Sequence, residues 1–148
     1  MNKTTSSNHS TFVIERSYPH SPSKVFSAWA DKGIKAGWFS GADQFEFRVG
    51  GREFSRGGPD GGPVFTFDAC YQDIVPDQRI VYSYTLDMGE TRISVSVTTV
   101  EFLQDPSGTR LIYTEQGVYL DGQDTPEQRE HGTKLMLDML GKVLDGQE

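Results

Sequence analysis

The sequence predicts an α+β domain, an antiparallel sheet covered on one face by its helices. Three observations predict it. The middle of the 148-residue chain is a succession of strand-like segments joined by short turns, a short helical insertion follows the first strand, and one long amphipathic helix closes the chain. A chain of this length fits a single domain and buries about 68% of its unfolded surface, so it can build a core without staples.

Residues 1–10 read as a disordered polar tail and residues 11–148 as the domain. Thr11-Phe12-Val13-Ile14 is a β-rich run, followed by the turn formers Ser17, Pro19 and Ser21. Ser21 is placed to cap a helix, Pro22 suits its first position, and Val25, Phe26 and Trp29 follow at helical spacing. Gly33 offers a left-handed stop, and Ile34 and Trp38, four apart, suggest one further short turn of helix. Phe45, Phe47 and Val49 alternate with polar residues, Gly50-Gly51 reads as a two-residue hairpin turn, and residues 52–56 form the return strand. Residues 56–63, RGGPDGGP, are a loop by composition. The loop lacks the lysine-serine/threonine ending and the following helix of a phosphate cradle.

Residues 64–75 and 79–86 form the next strands around a Pro76-Asp77 turn, with Ile80, Tyr82 and Tyr84 on one face. Residues 91–103 break phase: Ile93, Val95 and Val97 share one parity, Val100 and Phe102 the other. A bulge near Thr98-Thr99, in a sheet that curls around something, would reconcile them. After a turn at residues 105–108, Leu111, Tyr113 and Glu115 point one way along the last strand. Thr125-Pro126-Glu127-Gln128 is a capping box, and Leu135, Met136, Met139, Leu140, Val143 and Leu144 mark one apolar stripe. A helix over residues 126–145 is about 30 Å long, enough to cross a small sheet and leave a cavity beneath it.

Composition narrows the function classes. A net charge of −7 opposes nucleic-acid backbones and anionic lipid surfaces, so neither nucleic acid nor membrane is expected as a partner. The one cysteine, Cys70, permits no intramolecular disulfide, and the N-terminus has no apolar leader core, which together point to a cytoplasmic protein. Arg48, Arg52 and Arg56 cluster beside the glycine pair, either as a solvated hairpin or as an anion contact.

Taken in order, Ser21-Pro22-Ser23-Lys24-Val25-Phe26 with Trp38-Phe39, Phe47-Arg48-Val49-Gly50-Gly51, DIVPDQRIV at residues 73–81, Gly108-Thr109-Arg110-Leu111 and a terminal helix opening near His131 resemble a known family. It is the activator-of-Hsp90-ATPase-homologue branch of the START/Bet v 1-like superfamily, and the resemblance covers about residues 11–146. It implies a helix-grip fold, six or seven curved antiparallel strands around the terminal helix, with two short helices after the first strand and an apolar internal cavity. Relatives include co-chaperone domains, lipid and aromatic-ligand carriers, and polyketide cyclases. Two departures stand out: Thr133 follows His131-Gly132 where the family often carries tryptophan, and Arg48-Val49 replaces the acid usual before the glycine pair.

No histidine-carboxylate, cysteine-pair or nucleophile-elbow spacing occurs, so neither a metal nor a cofactor is expected. The expected ligand is an apolar or aromatic small molecule held by Trp38, Phe39, Tyr82, Tyr84, Val95, Tyr113, Glu115, His131, Leu135 and Met139. An enzyme of cyclase or dehydratase type is the alternative, with Glu115, Tyr113 and His131 as its acid-base set. A co-chaperone-like role, with a chaperone as partner, follows from family analogy alone. Either a monomer or a homodimer suits these readings.

Overall fold

A computed structural model describes residues 5–39 and 41–146. Seven strands form one antiparallel sheet: β1 (Ser7–Tyr18), β2 (Gln44–Phe45), β3 (Arg52–Gly57), β4 (Phe65–Val75), β5 (Arg79–Met88), β6 (Thr91–Asp105) and β7 (Gly108–Leu120). Their order across the sheet is β1-β7-β6-β5-β4-β3-β2. Helices α1 (Pro22–Ala30) and α2 (Lys32–Lys35) follow β1, and α3 (Pro126–Asp145) closes the chain, giving the helix-grip architecture. No helix among the described residues is long and apolar enough to cross a membrane.

Local chemistry explains most boundaries. Ser21 accepts from Lys24 N–H and Thr125 from Gln128 N–H, so α1 and α3 are capped as expected, each with proline in its first turn. Gly33, in contrast, stops nothing. Asp31 ends α1 and at once caps α2, its carboxylate accepting from Ile34 N–H at 3.0 Å, so the helix break is an Asx turn rather than a left-handed glycine.

Strand β1 begins at Ser7, so residues 7–10, expected as tail, are strand paired with residues 117–120; residues 1–4 of that tail lie outside the described residues. The expected strand over residues 44–49 shrinks to Gln44–Phe45. Gly50 takes φ 82°, and a Cβ on Gly51 would stand 2.0 Å from the Glu46 carbonyl oxygen, so residues 46–51 turn irregularly instead of through a two-residue hairpin. Each of the three arginines there has its own carboxylate: Arg48 pairs with Glu46, Arg52 with Asp68 and Arg56 with Asp43.

The phase break of β6 is real, but it sits elsewhere. The register slips between Leu86 and Asp87 opposite Ser94 and Arg92, so both Ile93 and Ser94 are buried; beyond that point Ser96, Thr98, Val100 and Phe102 face inward. Val95 and Val97 are left on the outer face, exposed. Over residues 95–98 the valines face out and the hydroxyls face in, the reverse of the usual binary pattern. Along α3 the buried residues are Thr133, Leu137, Leu140 and Leu144, while Leu135 and Met139 are exposed.

The core lies between the inner sheet face, α1 and α3. Trp29 packs on Trp38 at 4.6 Å, and Phe26 on Phe102 at 5.4 Å. The Trp38 indole N–H donates to the Ala28 carbonyl at 3.0 Å, tying the segment after α2 to α1.

Candidate functional site

A pocket of about 690 Å³ opens between the inner sheet face, the segment after α2, and α3. Phe65 and Phe67 of β4 form one aromatic wall. Tyr82, Tyr84 and Tyr113 form the floor, Trp38 and Phe39 one end, and Met136 and Met139 the helix side. Alternation along the strands positions these groups: Tyr82, Tyr84 and Leu86 on β5, like Leu111, Tyr113 and Glu115 on β7, share the inward face. Phe67 stands 5.2 Å from Phe39 and 4.9 Å from Tyr84 between ring centres, so the walls brace one another.

Behind the floor lies Glu115, only 1% exposed. Its Oε1 accepts from Tyr84 at 3.0 Å, Thr98 at 3.1 Å and Tyr113 at 3.3 Å, while Oε2 has no hydrogen-bond partner among the described residues. Burial pushes its pKa up, opposed by the three hydroxyl donors and by the positive charge of Arg129. Burial, reinforced by Glu115, also pushes Tyr84 and Tyr113 well above the ordinary phenol range, so both remain protonated donors.

Arg129 comes from the first turn of α3 and lines the pocket. Its Nε lies 3.3 Å from Asp124 Oδ2, an ion pair without hydrogen-bond geometry, and Asp124 Oδ1 accepts from Thr125 N–H, so the helix entry sets the carboxylate beside the arginine.

A second polar centre stands beside the aromatic end. Lys35 Nζ donates to Glu53 Oε1 at 2.6 Å and lies 5.2–5.8 Å from the ring centres of Trp29, Trp38, Phe39 and Phe45; Tyr71 O–H donates to the same carboxylate. Both charged residues are buried. Burial pushes the Lys35 amine down, and Glu53 opposes that shift.

Of the residues expected at a ligand site, Trp38, Phe39, Tyr82, Tyr84, Tyr113, Leu135 and Met139 line this pocket. Glu115 stands one layer behind it. Two do not come to it: Val95 faces outward on the opposite side of the sheet, paired with Val118 and Thr85, and His131 is exposed on α3, away from the pocket lining. His131 therefore cannot join Glu115 and Tyr113 in one acid-base set. Sequence reasoning missed Arg129, Phe67, Lys35 and Glu53. Arg129 carried a readable signal, seven residues before Met136 of the apolar stripe and so on the same helix face.

Comparison with known proteins agrees with the fold. Residues 19–145 match the family described as activator of Hsp90 ATPase homolog 1-like protein. Among solved structures, the Mll3558 protein of Rhizobium loti is 51% identical with a TM-score of 0.89, covering 93% of this chain and 99% of that one. A protein from Rhizobium leguminosarum is 39% identical with a TM-score of 0.92, covering 98% and 100%. DynU16, from the dynemicin biosynthetic locus, shares the fold alone, at 17% identity and a TM-score of 0.71 over 92% of this chain and 47% of that one. No curated protein matches. The match over residues 19–145, with two solved relatives spanning nearly all of both chains, places this chain in the activator of Hsp90 ATPase homolog 1-like family.

Proposed function

We propose that the chain binds a hydrophobic or aromatic small molecule in the pocket between α3 and the sheet. The observation that carries this reading is the distribution of chemistry in the lining. Phe39, Phe65, Phe67, Met136 and Met139 offer apolar and thioether surface, whereas the phenol hydroxyls are gathered on the floor. Such a site takes up a ligand by burying its apolar area and orients it through a few polar contacts. Methionines on the helix side suit ligands of varied shape.

A second reading, acid-base catalysis, has one observation in its favour: Glu115 is joined by hydrogen bonds to two pocket phenols. Because Glu115 is not itself in the lining, a proton would have to pass through Tyr84 or Tyr113. Both phenols are held protonated, which suits donation better than abstraction.

Thermal denaturation with a panel of hydrophobic aromatic compounds, followed by mass analysis of the compounds, tests the two readings. A ligand present at about 100 times its Kd adds about 2.7 kcal/mol of stability. Recovery of the same compound unchanged supports binding. Conversion that disappears in Glu115→Gln while the variant still folds supports catalysis. No stabilisation by any member, with Phe67→Ala indistinguishable from the parent chain, refutes both.

A further inference from the structure

Resting on the reading of the pocket as a ligand site, we infer that its ligand is an aromatic carboxylic acid whose carboxylate is held by Arg129. Arg129 is the only charged residue lining the pocket among the described residues; every other lining group is apolar or carries a neutral hydroxyl or backbone. A guanidinium in a largely apolar site selects planar anionic oxygens, because its paired N–H groups match a carboxylate and an unpaired acid elsewhere in such a pocket would be left desolvated.

The arginine is held in place for this task. Asp124 takes the Nε side, and the Tyr84 phenol also interacts with the guanidinium. Gly132 places no side chain beside it: a Cβ built there would lie 3.8 Å from Arg129 Nη2. The Arg129 side chain is about one-third exposed, at 33%, whereas its Asp124 partner is 8% exposed. The guanidinium thus reaches the pocket lining while its compensating carboxylate is the more deeply buried of the two. Asp124 also balances the resting charge, so the empty pocket does not hold an isolated cation. Aromatic surface on Phe67 and Tyr84 accounts for the rest of the ligand.

The test compares naphthalene-2-carboxylate with its isosteric neutral amide, naphthalene-2-carboxamide, by titration calorimetry at neutral pH. The acid is expected to bind about tenfold to a hundredfold more tightly than the amide, the range of a charge-assisted pair. Arg129→Gln should remove that preference while leaving amide affinity within about threefold. If loss of its partner leaves Asp124 buried and unfolds that variant, Arg129→Gln/Asp124→Asn makes the same comparison. Equal affinity of the intact protein for acid and amide overturns the inference. Met136→Trp, which fills the pocket, separates the levels. If it abolishes binding of both compounds while the two bind the parent alike, the pocket reading stands and the acid preference falls. If it affects neither, or neither binds the parent, the pocket reading itself falls and the inference falls with it.

Discussion

The Tyr84 hydroxyl donates to Glu115 Oε1 over 3.0 Å, joining a pocket-floor phenol on β5 to a carboxyl on β7 that the pocket does not touch. Between them, Thr98 of β6 donates to the same oxygen. The floor is thus a hydroxyl layer resting on one buried acid, and its behaviour depends on whether that acid carries charge.

Glu115 should make stability fall as pH rises. Its folded pKa lies above the ordinary 4.5 because burial disfavours the carboxylate. Below 4.5 both states hold the proton; above it the unfolded chain releases its proton first, the native state binds more protons, and stability declines until the folded pKa is passed. For one group the slope is at most about 1.4 kcal/mol per pH unit. Tyr82, Tyr84, Tyr113 and Tyr119 around it titrate far above this window, and Arg129 stays charged throughout. Urea midpoints measured across the acidic to neutral range should decline in the parent and flatten in Glu115→Gln. Identical profiles would sink the assignment.

Lys35 and Glu53 form a pair that is costly to break singly. Removing one partner of a buried ion pair strands the other, at about 3–5 kcal/mol, whereas replacing both is often nearly neutral. Lys35→Met should therefore destabilise strongly, and Lys35→Met/Glu53→Gln should recover most of the loss, since glutamine still accepts from Tyr71. Chemical denaturation gives both values. Additive losses would mean that the pair is not coupled.

That same strand explains why part of the site escaped the sequence. In Arg52-Glu53-Phe54-Ser55-Arg56 the obvious inward residue is Phe54, yet Glu53 and Ser55 are buried and Phe54 lies between the guanidiniums of Arg52 and Arg56, 4.5 Å and 5.6 Å from its ring centre. The binary pattern inverts because cation–π cover outside and an ion pair inside replace ordinary burial. On β6 the inversion repeats with Ser96 and Thr98 inside and Val95 and Val97 outside. Where hydrophobic alternation matched the pleat, as on β5 and β7, the tyrosine floor and Glu115 were legible by parity alone. The capped helices were legible too, since Ser21 and Thr125 act through local hydrogen bonds that need no tertiary partner.

Tyr18 should anchor α3 to β1. Its hydroxyl donates to the Leu137 carbonyl at 2.8 Å, and a Cβ on Gly141 would approach its ring at 3.3 Å. Tyr18→Phe should cost about 1 kcal/mol, one hydrogen bond. Gly141→Leu should cost about 1–3 kcal/mol by overpacking. Thermal melts read both, and a neutral Gly141→Leu would show that the contact is loose.

Thr133 should control the volume of the pocket. It lines the pocket, is 8% exposed, and its hydroxyl is spent on the Arg129 carbonyl at 2.8 Å, so it contributes little chemistry to a ligand. Thr133 follows His131-Gly132, where the sequence resemblance leads to the expectation of a tryptophan in many relatives. An indole here would project from α3 toward the floor and occupy space that a ligand needs. Thr133→Trp is therefore expected to abolish ligand-induced stabilisation while the free protein keeps its stability or gains about 0.5–2 kcal/mol from cavity filling. Thr133→Val, which removes the hydroxyl at nearly constant volume, should leave ligand uptake unchanged. Calorimetry with the naphthalene pair checks both variants. Undiminished binding in Thr133→Trp would mean that ligands enter elsewhere, and lost binding in Thr133→Val would mean that the hydroxyl, rather than the volume, is what the ligand reads.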